Sequence, residues 1–442
     1  MTDLHYIKSI FEIKDQNITL LDKEDKVNQK GVTAHILYGK LTYPVSQCPC
    51  CEHRHCVIKW GFKPSLIHLG QLNTKPIKLS LKKQRFMCKD CGHTFMAETP
   101  LVDKHCQLSN NLRRAIALAL QDTRSMASIA YDYDISIPSV TRIQNKLAEK
   151  LKPSLHWLPI HLSLDEFKSV KSVKGKLSCI IIDNHTHRLV DILENRTQNF
   201  LRDYFLRYDL EVRRKVKTIT IDMYSPYKDF LPRLFPNAII IIDRFHIIQR
   251  LNKAIDRVRI AIMKEVRYSS PTHYTKLKNQ WKLILKHDWT LDYQDYHIHR
   301  LYSGLVTEAS MVQFLCAINP KLQETHLWVN RLKATIMDHD YHGFEAVLSE
   351  SRKYRLNKEL RKVIQTMQRY RQEIFHTMTY RLSNGPIEGC NNKIKTIKRV
   401  SYGYRSFNNF TNRIRIQFLL TYRQPVVLED VLYHKHHQEH VA

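Results

Sequence analysis

Residues Ser383 to Arg405 read SNGPIEGCNNKIKTIKRVSYGYR. Asn384 is a good helix cap, and Gly385 and Pro386 suit a helix entrance, so Glu388 is expected in the first turn of a helix. Glu388, Asn392, Lys395 and Arg399 recur at spacings of four, three and four, which places an acid, an amide and two cations on a single helix side. Taken alone, such a face describes a solvated surface helix whose carboxylate is favoured by the helix dipole. It becomes chemistry only if other carboxylates meet Glu388.

Those partners are sought where the pattern turns to strands. After Pro153, residues 162–167, 177–183, 189–193, 217–222 and 238–243 are short apolar or alternating runs, and TITID and AIIIID read as strands buried on both faces. Helical stretches at 200–208 and 226–235 fall between them, so a mixed sheet flanked by helices is expected. Three acids mark strand ends: Asp165 in LSLDEF, Asp222 in TITIDMYSPY and Asp243 in IIIIDRFHII. A lone Asp after a strand is usually a turn former or helix cap. Three in one sheet point instead to the carboxyl edge, where functional groups gather.

From His246 to about Arg381 the strand pattern stops and helical stretches rich in Lys, Arg, Tyr and His take over, with Trp281, Trp289 and Trp328 expected in a bundle core. This segment reads as an insertion, after which the Glu388 helix returns to pack on the sheet. Asp165, Asp222 and Glu388 would then form three hard oxygen donors, a set suited to Mg²⁺ or Mn²⁺ and to two-ion phosphoryl transfer. Asp243 competes with Asp222 as second ligand, and His246 and Asn392 are further candidates beside the acids. Tyr224 and Tyr227 lack the Arg and His set that a covalent tyrosine mechanism needs.

Upstream, Cys48 and Cys51 form one Cys-x-x-Cys pair and Cys88 and Cys91 a second, separated by short β-rich segments. Two such knuckles supply four thiolates for a structural Zn²⁺, with Cys50 or Cys56 as alternative donors to the first pair. Residues 109–151 then read as helices, of which the last, opened by Ser136 and Pro138, presents Ser139, Thr141, Arg142, Asn145 and Lys146 outward. A short helix, a turn near Tyr133-Asp134 and a cationic second helix make a helix-turn-helix, with Arg142 and Lys146 as DNA contacts.

The 442 residues suggest two to four domains, and 43% hydrophobic content argues against extensive disorder. Lys and Arg number 70 against 42 Asp and Glu, a formal charge of +28, and the clusters lie along the whole chain, as expected for folded domains that bind a polyanion. A secretory h-region is not visible at the start, and no run of about 18 apolar residues occurs. The expected place is the cytoplasm, with no membrane partner.

LSLDEF, DMYSPYKDFLPRLFPNA, DRFHIIQRLNKAIDRVR and SNGPIEGCNNKIKTIKRVSYGYRSFNNF together resemble the transposases of the ISL3 family of bacterial insertion sequences. The resemblance covers nearly the whole chain, because that family also begins with a Cys-x-x-Cys ribbon and a helix-turn-helix. It implies a multidomain α+β protein: an N-terminal segment (1–43), zinc ribbon (44–105), helix-turn-helix (106–153), the first part of an RNase H-like core (154–246), an all-α insertion (247–381) and the last part of the core with its tail (382–442). It also implies a DDE triad at Asp165, Asp222 and Glu388. Its partners would be double-stranded DNA, both inverted repeats and target, in a nucleoid-associated homodimer or higher oligomer. Lys395, Lys398, Arg399 and Arg405, interleaved with aromatics, are candidate contacts to the DNA end. The competing expectations are a zinc-ribbon and helix-turn-helix regulator derived from such an element, and a stand-alone RNase H-like nuclease.

Overall fold

The computed structural model describes residues 3–27, 33–223 and 225–419, which fall into two compact units. The first takes in the chain up to Lys152, residues 170–174 and the chain from Asn392 onward; the second takes residues 153–169 and 175–391.

The first unit opens with helix α1 (Asp3–Ile10) and strands β1 (Ile18–Val27), β2 (Thr33–Leu41), β3 (Val57–Leu72), β4 (Lys75–Cys88) and β5 (Thr94–Met96). They make one sheet in the order β1-β2-β4-β3, with β5 added to β4. Alternating side chains bury Leu37, Leu41, Ile67, Leu79, Leu81 and Phe86 in a common core. The residues before position 44 are therefore not a segment apart from the cysteine-bearing hairpin, since β2 pairs with β4 in parallel, His35 to Leu41 against Ile77 to Lys83. Local periodicity carries no sign of such a non-local pairing.

Helices α2 (Asn110–Ala119), α3 (Met126–Asp132) and α4 (Ile137–Glu149) follow. Each is opened by a serine, Ser109, Ser125 and Ser136, whose hydroxyl accepts the N–H three residues on. Leu112, Ile116, Ile129, Val140 and Leu147 pack as their core.

In the second unit, β6 (His161–Lys168), β7 (Leu177–Asp183), β8 (Leu189–Leu193), α5 (Gln198–Phe205), α6 (Leu210–Arg214), β9 (Thr218–Ile221), α7 (Ser225–Leu234) and β10 (Ile239–Ile242) follow in turn. The sheet order is β10-β9-β6-β7-β8. Strands β6, β7 and β8 are antiparallel to one another, whereas β9 runs parallel to both β6 and β10. Leu162, Leu164, Ile219, Ile221, Phe205, Tyr227 and Phe235 build the core against the flanking helices.

Helices α8 (Arg244–Glu265), α9 (Pro271–Asn279) and α10 (Trp281–Ile284), strands β11 (His297–Ile298) and β12 (Leu305–Val306), and helices α11 (Glu308–Ala317), α12 (Pro320–Met337), α13 (Tyr341–Ser351), α14 (Lys358–Arg369) and α15 (Arg371–Tyr380) make up the insertion. It is not wholly helical, because β11 and β12 pair as a two-stranded ribbon. Trp328 is 5% exposed within its core, but Trp281 and Trp289 are 42% and 50% exposed and do not join it. Helix α15 covers the free edge of β10: Thr377 Oγ1 donates to the Ile242 carbonyl at 2.7 Å, and His376 Nδ1 lies 2.9 Å from that of Ile240. Among the described residues, no helix is long and apolar enough to cross a membrane.

Helix α16 (Gly385–Val400) and helix α17 (Phe407–Leu419) end the described chain, and the boundary between the units, at Asn391 and Asn392, falls within α16. Glu388, Asn392, Lys395 and Arg399 are all exposed, as their spacing requires. Helix α17 packs on α4. Gln144 donates to the Asn409 carbonyl and Asn412 to the Asn145 side chain, so Asn145 is turned to α17 and the exposed cations of α4 are Arg142 and Lys146.

One buried cation in the insertion gives stability a pH dependence. Lys333 is 0% exposed and donates to the Leu285 carbonyl at 3.2 Å, and burial pulls its ammonium down to about 8. Between that value and the ordinary lysine value of about 10.4, the unfolded chain binds the proton that the folded chain has released, so stability rises with pH across this window. Urea denaturation at pH 7.5 and pH 9.5 is expected to show this rise in the wild type, and a smaller one in Lys333→Met.

Candidate active site and cysteine cluster

Strand pairing brings the acids together. His161, Leu162 and Ser163 of β6 pair with Thr218, Ile219 and Thr220 of β9, and the same parallel register continued by two residues sets Asp165 beside Asp222. The chemistry agrees. Burial, and after it the Asp222 charge, pushes the Asp165 carboxyl up to about 7.

Asp165 takes two short hydrogen bonds, from the Glu166 N–H to Oδ1 and from Asn391 Nδ2 to Oδ2, each 2.6 Å. His246 Nε2 lies 2.7 Å from Asp222 Oδ1 and 3.9 Å from Asp243 Oδ2. The Asp222 contact is the closer of the two and pairs the imidazole with that carboxylate. Burial opposes the His246 proton, but Asp222, with Asp243 and Asp165 behind it, more than offsets this and raises the imidazole above its ordinary value.

Asp243 ends β10 and opens α8. It is 4% exposed, and burial raises its carboxyl. Its Oδ1 accepts the Asn384 N–H at 3.0 Å. The start of α16 is thus tied to Asp243, its second turn is tied through Asn391 to Asp165, and Glu388 lies between the two ties. Asn184 secures the approach, donating to Ser163 Oγ at 2.5 Å and to the Ser383 carbonyl at 2.9 Å.

Asp165, Asp222, Asp243 and His246 therefore meet. Glu388 is exposed on the first turn of α16. Among the described residues, the sets of three or more possible ligand atoms within 4.8 Å of one another are built on cysteine, so the carboxylates of Asp165, Asp222 and Glu388 do not close to that distance. Sequence reasoning names Asn384 only as a helix cap, whereas its side chain makes no capping bond and its N–H binds Asp243, and it does not name Asn391. Both lie in the SNGPIEGCNN stretch, and Asn391 stands three residues after Glu388, a spacing that shares its side of the helix.

The model of a transposase family, the ISL3-type DDE transposases, matches residues 162–414, from β6 into α17. This chain belongs to the ISL3 transposase family. The transposase for insertion sequence element IS1001 of Bordetella parapertussis is 24% identical over 344 residues, 77% of this chain and 81% of that protein. An ATP-dependent protease of Lactococcus lactis subsp. lactis is 32% identical over 112 residues, 25% of this chain and 36% of that one.

Upstream of the matched span, this ISL3-family chain holds its four paired cysteines in one cluster. The Sγ atoms of Cys48, Cys51, Cys88 and Cys91 all lie within 4.8 Å of one another, a set able to hold a metal ion. The two knuckles repeat the same bonds. Cys48 N–H donates to the His53 carbonyl and Cys88 N–H to that of His93, while Glu52 and Gly92 donate back to Cys48 and Cys88. Glu52 and Gly92, each four residues after the first cysteine, are both left-handed, with φ of 60° and 70°. Backbone N–H groups, that of Cys91 foremost, pull the Cys88 thiol down to about 6.

Cys56 lies 3.3 Å from Cys88 but sits outside the four. Its S–H donates to the His53 carbonyl at 3.1 Å, and burial pushes it up to about 11, opposite in direction to Cys88 beside it. Cys50 is exposed and also lies outside the set. Co²⁺ is expected to titrate to about one equivalent per chain with tetrahedral tetrathiolate absorption. Cys51→Ser should abolish that spectrum, whereas Cys56→Ser and Cys50→Ser should preserve it.

Proposed function

We propose that this protein binds the terminal inverted repeats of its insertion sequence, cleaves the DNA at their 3′ ends and joins those ends to target DNA. The observation that carries this reading is the parallel register of β6 and β9, which continued by two residues sets Asp165 beside Asp222, with the Glu388 helix tied to Asp243 by Asn384 and to Asp165 by Asn391. The strand order, three antiparallel strands continued by two parallel ones, supports an RNase H-like core. In this reading 154–246 is the first part of the core, 247–381 the insertion and the start of 382–442 the returning core, the chain from Asn392 onward falling in the first unit.

Asp165, Asp222 and Glu388 are the residues that would hold Mg²⁺ or Mn²⁺. The donor set fits such ions. Burial and the Asp222 charge raise the cost of ionising Asp165, and Asn391 Oδ1 and the Asn384 side chain are buried without hydrogen-bond partners. When bound, these ions supply the positive charge that makes a water or a DNA 3′-hydroxyl nucleophilic and eases departure of the 3′-oxygen.

The chain's own residues do the positioning. Asn391 holds Asp165 in one orientation, and Asp243, its Oδ1 engaged by the backbone of Asn384, fixes where α16 begins. Asp243 is thus a positioning residue and Asp222 the second ligand. His246, whose protonated form the surrounding carboxylates favour, steadies Asp222 and, when protonated, offers a cation toward the scissile phosphate.

Zn²⁺ at Cys48, Cys51, Cys88 and Cys91 stabilises the ribbon, and α3 and α4 act as a helix-turn-helix that presents Arg142 and Lys146 to duplex DNA. Lys395, Arg399 and Arg405, all exposed, with Lys398 half-buried among them, position the DNA end through its phosphates. Joining two ends in one reaction calls for a dimer or larger assembly.

Labelled inverted-repeat ends incubated with Mg²⁺ test the reading. Asp165→Ala, Asp222→Ala and Glu388→Ala are each expected to lower cleavage by about 10³-fold, as for loss of a group that stabilises transition-state charge, while duplex binding persists. Asn391→Ala should lower it by about 10–100-fold, the usual cost of losing a partner of a metal ligand. Full activity in Asp222→Ala with loss in Asp243→Ala would move the second ligand to Asp243, and full activity in Glu388→Ala would remove the returning helix from the chemistry.

A further inference from the structure

Strands β2, β3 and β4 carry one, two and five Lys or Arg residues respectively, and not one Asp or Glu. Within this acid-free surface the edge strand β3 departs from ordinary strand behaviour. Residues 59–64, Lys-Trp-Gly-Phe-Lys-Pro, are exposed at every position, whereas a strand lying on a core buries every second side chain.

The cause is a bulge. Lys59 pairs with Phe86 and Phe62 with Gln84, so Trp60 and Gly61 together face the single residue Arg85. Gly61 adopts φ +78° there, a conformation open to glycine at little cost, and Gln84, 2% exposed, donates from Nε2 to the Gly61 carbonyl at 2.7 Å. The bulge is therefore pinned by a buried side chain, and it turns Trp60 and Phe62 outward at 50% and 42% exposure. The Lys40 ammonium lies 4.5 Å from the centre of the Phe62 ring, and Lys59 and Lys63 flank the pair.

Two exposed rings on a pinned edge, set among cations on strands that carry no acid, combine stacking surface with phosphate affinity. A second copy of this surface would bring like charges together and is disfavoured. Duplex DNA offers its phosphates but keeps the faces of its bases stacked inside, so the rings would gain nothing from it. An unpaired strand offers both. We propose that the Trp60–Phe62 edge of the N-terminal sheet binds single-stranded DNA, with bases stacked on the two rings and phosphates held by Lys40, Lys59 and Lys63. This deepens the proposed function, because cutting one strand leaves nucleotides free to unstack, and it rests on the reading that the chain processes DNA ends.

Fluorescence anisotropy of the full-length, zinc-loaded protein with a labelled oligo-dT and with a labelled duplex tests the site independently of cleavage. The Trp60→Ala, Phe62→Ala double variant is expected to bind oligo-dT about tenfold or more weakly, with duplex affinity, zinc content and circular dichroism unchanged. Trp60→Phe should retain most of the oligo-dT affinity. Trp289→Ala, which removes an equally exposed ring from the other unit, should retain all of it. Unaltered oligo-dT binding by the double variant would overturn the proposal, as would an equal loss for duplex. A change in oligomeric state on removing the rings would assign the edge to self-association instead. Loss of oligo-dT binding with inverted-repeat cleavage intact would leave this site standing apart from the catalytic reading, and loss of cleavage in the Asp165→Ala variant with oligo-dT binding intact would separate them the other way.

Discussion

Two carboxylates held side by side where like charges repel each other are the constraint on which the second unit depends. Asp165 and Asp222 cannot move apart, because each is fixed to a strand whose inward side chains, Leu162 and Leu164 on β6 and Ile219 and Ile221 on β9, are fully buried. Apolar burial on both strands supplies the driving force, and the electrostatic cost appears as the raised Asp165 carboxyl. His246, 2.7 Å from Asp222 Oδ1, offsets part of that cost when it carries a proton. The rest is left for a cation, which is the usual logic of sites whose function needs charge held in an unfavourable place.

The returning helix meets the same constraint from the other side. Between β10 and α16 the chain spends more than a hundred residues in the insertion, yet closing a longer loop adds only slowly to the entropic cost, about 0.6 kcal/mol per doubling of length. The insertion also carries its own apolar residues into a core, Leu251, Val329, Leu332, Phe344 and Met367, which is continuous with Ile242 of β10 and with Met223. Its last helix is fastened to β10 by Thr377 and His376, and Arg381, left-handed at φ 53°, ends that helix just before Asn384 reaches Asp243. The insertion therefore starts and finishes at β10.

In the first unit a polar device fixes where the C-terminal helix lands. Arg413, 0% exposed, donates to the carbonyls of Asp122 and Arg124 in the turn between α2 and α3, and Gln417 donates to the same Asp122 carbonyl. Burial pulls the guanidinium down to about 10, so the bonds are made at a desolvation cost. Apolar contact through Phe410 and Ile416 gives α17 its affinity for this surface but little register. The guanidinium accepts only one register, because any slip would leave a buried cation without its carbonyls.

That distinction explains what was legible in the sequence. Patterns that repeat over short spacings were readable: the paired cysteines, the strands of the second unit, the serine cap of α4, and the exposed Glu388, Asn392, Lys395, Arg399 face. Each is dictated by neighbours within a few residues. The parallel pairing of β2 with β4 was not, nor was the exposure of Trp281 and Trp289, because both depend on what the rest of the chain leaves uncovered. The bonds that assemble the candidate site span far greater distances: Asn391 to Asp165 across 226 positions, Asn184 to Ser383 across 199 and Asn384 to Asp243 across 141. An amide has no periodic signature, and its role is set wholly by the group it meets. Asn391, beside an Asn392 of identical chemistry, became the partner of Asp165 because a helix advances 100° per residue, and only one of two adjacent asparagines can then face the sheet.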